Sequence, residues 1–481
     1  MQNNMRVNTV IMLLYQVSMY LVPLITIPYV SRVLGPQGVG VYSYTASIIS
    51  FCVVLTTMGV SVYGKREIAA CLNLESRSKM FWSIFAVESM MFLLTFTGYI
   101  IYILVSNTPY VIASWMQILA LVGAWLDISW LFFGVENFKL AIIRNVLIRL
   151  LSLVAIFVFV KDNTDTNIYV LIVAISDVVS VVPLWLLVKK YVFLVGINIS
   201  DVKKRFVPML KMLITAVSMN LFTIFDKVII GNLASIALVG IYDNAFRISK
   251  VTVSIITTIG VVMLPRMTKL FAEGSNRSLD YFKRSLNLTM FLGAGCCFGL
   301  LAVAPTFVPL YLGDGFEESI RVTQILSIVL LFIAWGNVFR TQYILPNKLD
   351  GIYIKSVIYA VTVNVILNLI LIPLFSIYGA AVSYLLTEGL ISVYQTHKVK
   401  HNFRIKELII SNSIYIMSAM IMMMVIYFLR TLFLVDSNAV ISLVIQLLVG
   451  SITYISITCL LERKANNKVV SSELYRVITK L

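Results

Sequence analysis

The chain has 481 residues, of which 60% are hydrophobic and only 12% are charged, and its formal net charge is +16. A single soluble core cannot bury so many apolar side chains, because most residues of a compact domain touch water. The composition therefore excludes one soluble domain and indicates a protein that crosses a membrane many times. In such a protein the excess of Lys and Arg indicates how the chain is oriented in the membrane, since cytoplasmic loops are enriched in these residues. It does not indicate nucleic-acid binding.

Apolar segments separated by short polar loops run along the whole chain, and each is long enough to cross a bilayer. They predict an all-α polytopic membrane protein of about 14 transmembrane helices, with both termini on the same side. The first segment follows Arg6 without a clear cleavage site, so we expect a retained helix and not a signal peptide. The segments lie at 9–31, 39–63, 80–105, 110–133, 140–160, 168–188, 207–231, 236–264, 285–312, 320–345, 352–373, 377–396, 408–430 and 438–461.

The basic residues decide which side the termini occupy. Of the 38 Lys and Arg residues, 28 fall in one set of alternate loops and in the two tails. The opposite loops hold only Arg32, Lys161 and Arg430. Because Lys and Arg are enriched in cytoplasmic loops, both termini are predicted to be cytoplasmic.

A short internal repeat relates the second and eighth segments at an offset of 200 residues. Val39-Gly40-Val41-Tyr42 aligns with Val239-Gly240-Ile241-Tyr242. A repeat displaced by six spans preserves orientation, so it predicts two parallel six-helix lobes around a central cavity, followed by two extra helices. The predicted parts are an N-lobe at 1–190, a basic cytoplasmic linker at 191–206, a C-lobe at 207–396, spans 13 and 14 at 408–461 and a cytoplasmic tail at 462–481.

The eighth segment carries a charged stripe. Asp243, Arg247 and Lys250 fall on one helical face, which Ser254 and Thr257 extend. An ionisable group facing lipid at mid-bilayer costs about 2.5–3.5 kcal/mol on the insertion scale, so the stripe is expected to face protein or water. It predicts an anion site held mainly by the C-lobe. The alternative is an Asp243–Arg247 ion pair within the helix, with Lys250 reaching to the cytoplasmic surface.

Further polar residues inside the apolar segments are weaker candidates for the cavity. At the 200-residue offset the second segment offers hydroxyls, among them Ser47. In the seventh segment Asn220 and Lys227 share a face, although Lys227 could equally form an end cap with Asp226. The first segment contributes the last two candidates. Gln16 lies on one helical face of this segment, and Arg32 lies at the end predicted to be outer.

No catalytic constellation and no metal site are recognisable, so the sequence predicts a transporter without a cofactor and not an enzyme. His397 and His401 have a metal-compatible spacing, but they lie in a basic loop without a third ligand. Isolated acids within spans are more often interhelical hydrogen-bonding groups. One of them could instead couple transport to a proton or sodium gradient or to the membrane potential, and these acids are Glu88, Asp127, Asp177 and Glu388.

Four stretches in a fixed order resemble one family. The stretch 28–42, with Gly35-Pro36 and Gly38-Val39-Gly40 at its centre, resembles the N-terminal signature of bacterial polysaccharide repeat-unit flippases. These are the Wzx-type members of the polysaccharide transport family in the multidrug/oligosaccharidyl-lipid/polysaccharide exporter superfamily. The stretches 63–69, 134–138 and 342–348 look like the same family.

The resemblance implies a flippase in the bacterial cytoplasmic membrane that works by alternating access. Its substrate would be an undecaprenyl-pyrophosphate-linked oligosaccharide, moved from the inner to the outer leaflet for capsule, O-antigen or exopolysaccharide assembly. Membrane lipid, a polysaccharide polymerase and chain-length machinery would be its partners. Related peptidoglycan-precursor flippases use cavity arginines for the pyrophosphate, and Arg247 falls where such an arginine is expected, with Lys250 one turn on.

Three other functions stay open at this point. A multidrug exporter of the same superfamily would display unpaired acids for cationic drugs, whereas the stripe here is net basic. A membrane-embedded polymerase or ligase would need a catalytic constellation, normally in a sizeable outer loop. A scaffold for the polysaccharide machinery would not need intramembrane cations.

Overall fold

The computed structural model describes residues 2–106, 108–273, 277–434 and 437–464, and within these ranges it describes no side chains for 2–21, 138, 140, 141, 214–216 and 218–223. All long elements in the described part are helices, which confirms the all-α prediction. They are α1 Gln2–Thr57, α2 Val60–Ala69, α3 Leu74–Val105, α4 Val111–Leu126, α5 Ser129–Gly134, α6 Phe138–Phe159, α7 Thr166–Leu187, α8 Ile199–Leu233, α9 Ile236–Ala272, α10 Arg277–Leu312, α11 Glu318–Phe339, α12 Asp350–Val399, α13 Ile405–Leu432 and α14 Ala439–Lys464.

Two of the helices are too long to be single straight spans. At 1.5 Å per residue, the 56 residues of α1 would extend about 84 Å, whereas a bilayer core is about 30 Å thick. α1 breaks at Gly35, where φ is +65°, a conformation that glycine adopts at little cost. α12 breaks at Ser376, with φ of +53°. A Cβ added to Gly379 would lie 2.1 Å from the carbonyl oxygen of Leu371, so the chain folds back tightly across this break.

Eleven helical stretches in the described part are long and apolar enough to cross a membrane. In this count α1 and α2 together form one stretch, and α12 forms another, although α1 and α12 are each broken. The chain is therefore a multi-pass membrane protein. The count of fourteen spans stays a prediction.

The chain packs as two compact units, Met1–Gly240 and Ile241–Leu481. In the first unit α1 packs against α8 and α4, and a core forms around the stacked rings of Phe81 and Trp130. In the second unit α10 packs against α11, α13 and α14. This division does not test the proposed lobe boundaries at 1–190 and 207–396, which stay a prediction.

The glycines of the internal repeat meet inside the first unit. A Cβ added to Gly40 would lie 1.9 Å from the carbonyl oxygen of Ile236. A Cβ added to Gly240 would lie 2.2 Å from the carbonyl oxygen of Pro36 and 2.8 Å from the amide nitrogen of Gly40. The second half of α1 and the first turn of α9 therefore cross backbone against backbone, the kind of close approach that small residues permit between membrane helices.

A buried hydrogen bond joins α13 to α14 in the second unit. The hydroxyl of Tyr415 donates to Oε1 of Glu462 at 2.9 Å, and both side chains are buried. We expect Tyr415→Phe to lower the free energy of unfolding by about 1–3 kcal/mol, because the buried carboxyl loses this donor. Thermal unfolding of the detergent-solubilised protein measures the change. Tyr427→Phe on the same helix is the matched control, since Tyr427 is exposed, and equal effects in the two variants would contradict the prediction.

Candidate functional site

The charged stripe predicted on α9 is present in the structure. Nε of Arg247 donates to Oδ2 of Asp243 at 2.7 Å, one helical turn away. Asp243 is only 1% exposed, whereas Arg247 is 34% exposed. The pair thus has a buried acidic end and a basic end that solvent or a ligand can reach.

The stripe continues beyond this pair with a second cation and two hydroxyls. Lys250 is exposed, and Ser254 and Thr257 are half-buried. The hydroxyl of Ser254 donates to the carbonyl of Val251, and that of Thr257 to the carbonyl of Val253, so both are held along the helix. Arg247 and Lys250 against Asp243 leave this face net positive, as an anion site requires.

The ion pair of the alternative interpretation therefore exists, and Lys250 is exposed, as that interpretation also predicts. Asp243 orients the guanidinium of Arg247 and holds it on the helix. The phenol of Tyr311 on α10 lies close enough to Arg247 to interact with it electrostatically. An arginine fixed in this way is suited to planar contact with phosphate oxygens.

The other predicted site residues belong to the first unit. Ser47 is buried, and its hydroxyl donates to the carbonyl of Ser43 at 2.7 Å. Arg32 is exposed, and its Nη1 donates to the carbonyl of Pro28 at 3.3 Å. Lys227 is half-buried beside the fully buried Asp226. The side chains of Gln16 and Asn220 lie outside the described residues.

The first unit contains a cavity of about 860 Å³ that sequence reasoning missed. It lies between the second half of α1, the C-terminal half of α3 and the last turns of α8, and residues 108–110 before α4 border one end. Aromatic rings form much of the described wall, and they are Tyr44, Phe51, Tyr99, Tyr102, Tyr110 and Phe225. These rings come from four separate segments, so no periodic pattern in any one segment reveals them.

The cavity has a polar end and an apolar end. At the polar end the hydroxyl of Tyr44 donates to Oδ1 of Asn232 at 3.0 Å, and Nε2 of Gln37 donates to the hydroxyl of Tyr110 at 3.4 Å. Leu55 and Leu94 are among the residues at the opposite end. Among the described lining residues there is no Lys, Arg, Asp or Glu.

A second polar group lies within the first unit, near the junction of α4 and α5. Arg144 forms an ion pair with Asp127 at 3.3 Å and also donates to the carbonyl of Ser180. Glu88 on α3 is fully buried beside the indole of Trp130. The indole of Trp130 is the nearest hydrogen-bonding group to the carboxyl of Glu88, and it does not reach the geometry of a regular hydrogen bond. Burying a carboxyl in this way is costly while it is charged.

The helix arrangement matches the folds of two solved transporters. In the whole-chain comparison it matches the fold of "Lipid II flippase MurJ, inward closed conformation", with a TM-score of 0.77 and 13% identity over 94% of this chain and 99% of that one. It also matches an inward-facing multidrug resistance MATE family transporter of the MOP superfamily, with a TM-score of 0.65 and 14% identity over 80% of this chain and 95% of that one. The chain thus has a polytopic transporter fold.

The sequence comparisons give the family. Residues 5–271 match the family described as polysaccharide biosynthesis protein, and this range includes Arg247 and Lys250. The chain belongs to this polysaccharide biosynthesis family.

Curated relatives match much of the chain. It is 23% identical to a putative O-antigen transporter of Escherichia coli (strain K12), over 83% of this chain and 97% of that protein. A putative O-antigen transporter of Shigella dysenteriae is 20% identical, over 82% of this chain and all of that protein. A probable low-salt glycan biosynthesis flippase of Haloferax volcanii is 25% identical, over 49% of each chain.

Proposed function

We propose that this protein is a flippase for lipid-linked oligosaccharides. The substrate is an undecaprenyl-pyrophosphate-linked repeat unit, carried from the inner to the outer leaflet of the bacterial cytoplasmic membrane for capsule, O-antigen or exopolysaccharide assembly. The family, the names of the relatives and the transporter fold support the general class. The pyrophosphate-linked substrate is the finer part of the proposal.

The observation that carries the proposal is the half-exposed guanidinium of Arg247, oriented by a buried carboxylate and followed by Lys250 one turn on. A pyrophosphate brings negative charge that loses its hydration in a membrane interior. A positioned arginine and an ammonium offset this cost, because arginine contacts phosphate oxygens in a planar, bidentate manner. A cation carrier would instead need a net acidic face.

In this proposal the head group enters a central cavity from the inner leaflet while the polyprenyl tail stays in lipid. The two lobes then exchange inward-open and outward-open states by alternating access, and both termini remain cytoplasmic. Arg32, Lys227, Asn220, Gln16 and Ser47 stay as proposed cavity contacts. A polysaccharide polymerase and chain-length machinery are the proposed partners on the outer side.

We further propose that transport is coupled to a proton or sodium gradient or to the membrane potential, without a bound cofactor. Of the four isolated acids, Glu88 is the strongest candidate for ion exchange, because it is the one that is fully buried. Transport in proteoliposomes that persists undiminished without any ion gradient or potential would contradict this coupling.

The proposed binding site is tested with Arg247→Gln and Lys250→Gln. We expect both variants to insert normally and to lose most surface polysaccharide in cells and most movement of lipid-linked oligosaccharide across proteoliposomes. Losing a contact to a charged group corresponds to about 1.5–3 kcal/mol, or about ten- to a hundredfold in affinity. Lys269→Gln is the matched control, because Lys269 lies on the same helix and is largely exposed.

Normal polysaccharide in both variants would overturn the site assignment. Movement of the glycolipid only when a polymerase is present would overturn the flippase function itself. Efflux of cationic drugs by the wild-type protein, without movement of the glycolipid, would favour the multidrug exporter.

A further inference from the structure

The uncharged cavity of the first unit is large enough to bind a small molecule. Its volume of about 860 Å³ lies within the usual range of ligand sites, roughly 300–1,000 Å³. Such sites are mostly apolar and contain a few convergent polar groups. Here the converging groups are phenol hydroxyls and carboxamides, which can both donate and accept hydrogen bonds.

The polar groups are held in place by the fold. Both polar atoms of the Asn232 carboxamide form hydrogen bonds. Its Nδ2 donates to the carbonyl of Val228, and its Oδ1 accepts from the hydroxyl of Tyr44. Tyr102 and Tyr110 lie close enough to the hydroxyl of Tyr44 to interact with it electrostatically. Tyr99 and Tyr102 stack with ring centroids 5.9 Å apart. The polar end therefore offers ordered aromatic faces beside oriented hydrogen-bonding groups.

The chemistry of these groups selects among ligands. A phosphate would require Arg or Lys, and the described lining has neither. An acyl chain would cover the polar end without pairing its hydroxyls and amides, which is costly. A sugar ring carries apolar C–H faces that pack on aromatic rings and hydroxyls that pair with phenols and amides. The cavity thus matches a neutral carbohydrate best.

We propose that this cavity binds neutral sugar rings of the translocated oligosaccharide, so that the sugars are recognised by residues of the first unit and the pyrophosphate by the α9 stripe. This inference rests on the proposed flippase function for the identity of the sugar. Residues 108–110, which line the polar end, lie on the side that the basic residues predict to be outer. The site is therefore placed to hold the sugars on the outer side of the membrane.

Two thiol reporters test the site on the full-length protein. Cys52 lines the cavity near its apolar end, and Thr108 lines its polar end. In the first variant, Cys52 is kept and the other four cysteines are replaced by alanine. In the second variant, all five cysteines are replaced by alanine and Thr108→Cys supplies the single thiol. The rate of alkylation by N-ethylmaleimide reports whether each end is occupied.

The probe is the mixture of oligosaccharides that mild acid releases from the lipid-linked fraction of cells that naturally make this protein. The comparison probe is the polyprenyl lipid left by the same hydrolysis. At about ten times its Kd, the oligosaccharide is expected to slow alkylation of the Thr108→Cys thiol about tenfold, and the polyprenyl lipid is expected not to slow it. Protection of Cys52 by the lipid alone would identify an acyl-chain site, and protection of neither thiol would identify an unoccupied void. Either result overturns the inference.

Filling the cavity provides a second measurement. Gly98 lines it, and a Cβ added there meets no heavy atom within 4 Å, so Gly98→Leu is expected to fold and to abolish protection. Gly351→Leu is the matched control, because a Cβ at Gly351 also meets nothing within 4 Å and Gly351 lies at the start of α12. Undiminished protection in Gly98→Leu would overturn the inference.

The two proposals fail separately. If the Arg247 and Lys250 variants transport normally while oligosaccharide still protects Thr108→Cys, the pyrophosphate site is wrong and the sugar site stands. If transport depends on both cations while oligosaccharide protects neither thiol, the sugar site is wrong and the proposed function stands.

Discussion

Replacing Gly40 by leucine is expected to destabilise the protein by at least about 3 kcal/mol and to reduce the yield of folded protein sharply. Overpacking a core usually costs about 1–3 kcal/mol, when side chains can shift to make room. Here even the first added atom lies 1.9 Å from the carbonyl oxygen of Ile236, and a backbone atom cannot move aside alone. The crossing of α1 and α9 would have to open. Thermal unfolding and gel filtration in detergent measure the loss.

Gly240→Leu is expected to behave in the same way, because its Cβ would lie 2.2 Å from the carbonyl oxygen of Pro36. Gly351→Leu is the control for the substitution itself, since nothing lies within 4 Å of a Cβ there. If Gly40→Leu and Gly351→Leu have the same melting temperature, the segments at 36–40 and 236–240 do not pack closely.

Reversing the charge at Arg247 is the second change with a large expected effect. Arg247→Glu places two carboxylates one turn apart, and one of them, Asp243, is 1% exposed. Removing one partner of a fully buried pair costs about 3–5 kcal/mol; the 34% exposure of Arg247 reduces this cost, and the added like charge raises it. We expect a clear fall in thermal stability in detergent together with complete loss of transport.

Exchanging the two residues separates a structural role from a functional one. In the double variant Asp243→Arg with Arg247→Glu, opposite charges again lie at i and i+4, so part of the lost stability is expected to return, while the larger arginine at the buried position 243 keeps the rest from returning. Transport is expected to stay lost, because the guanidinium has moved by one turn and the more exposed position now carries an acid. If the exchange restores both stability and transport, Arg247 serves only the ion pair and does not bind the substrate.

Much of the fold could be predicted because its causes are local in the sequence. Apolar runs of spanning length are sufficient to predict membrane helices, since every backbone polar group in lipid must be paired within its own segment. The face shared by Asp243, Arg247 and Lys250 follows from helical periodicity alone, and the structure places the Arg247–Asp243 pair at hydrogen-bonding distance. The glycines of the repeat were recognisable as a pattern, although their direct contact was not.

The cavity of the first unit could not be predicted, because it depends on packing between distant segments. Tyr44 on α1 and Asn232 on α8 are 188 residues apart and meet only when these helices pack. Glu88 looked like one isolated acid among four, and its full burial is visible only in three dimensions. The breaks in α1 and α12 fall between predicted spans, but the left-handed backbone at Ser376 has no sequence signal of its own.

The sequence by itself determined that this protein crosses a membrane many times, that its basic residues favour one side and that two cations share a face of α9. These properties follow from hydrophobic transfer and helical periodicity, which act on neighbouring residues. Only the tertiary structure decided which polar groups are paired, where backbones touch and where a cavity remains. These three features depend on how helices that are far apart in the chain pack against each other. Composition and helical periodicity do not determine that packing.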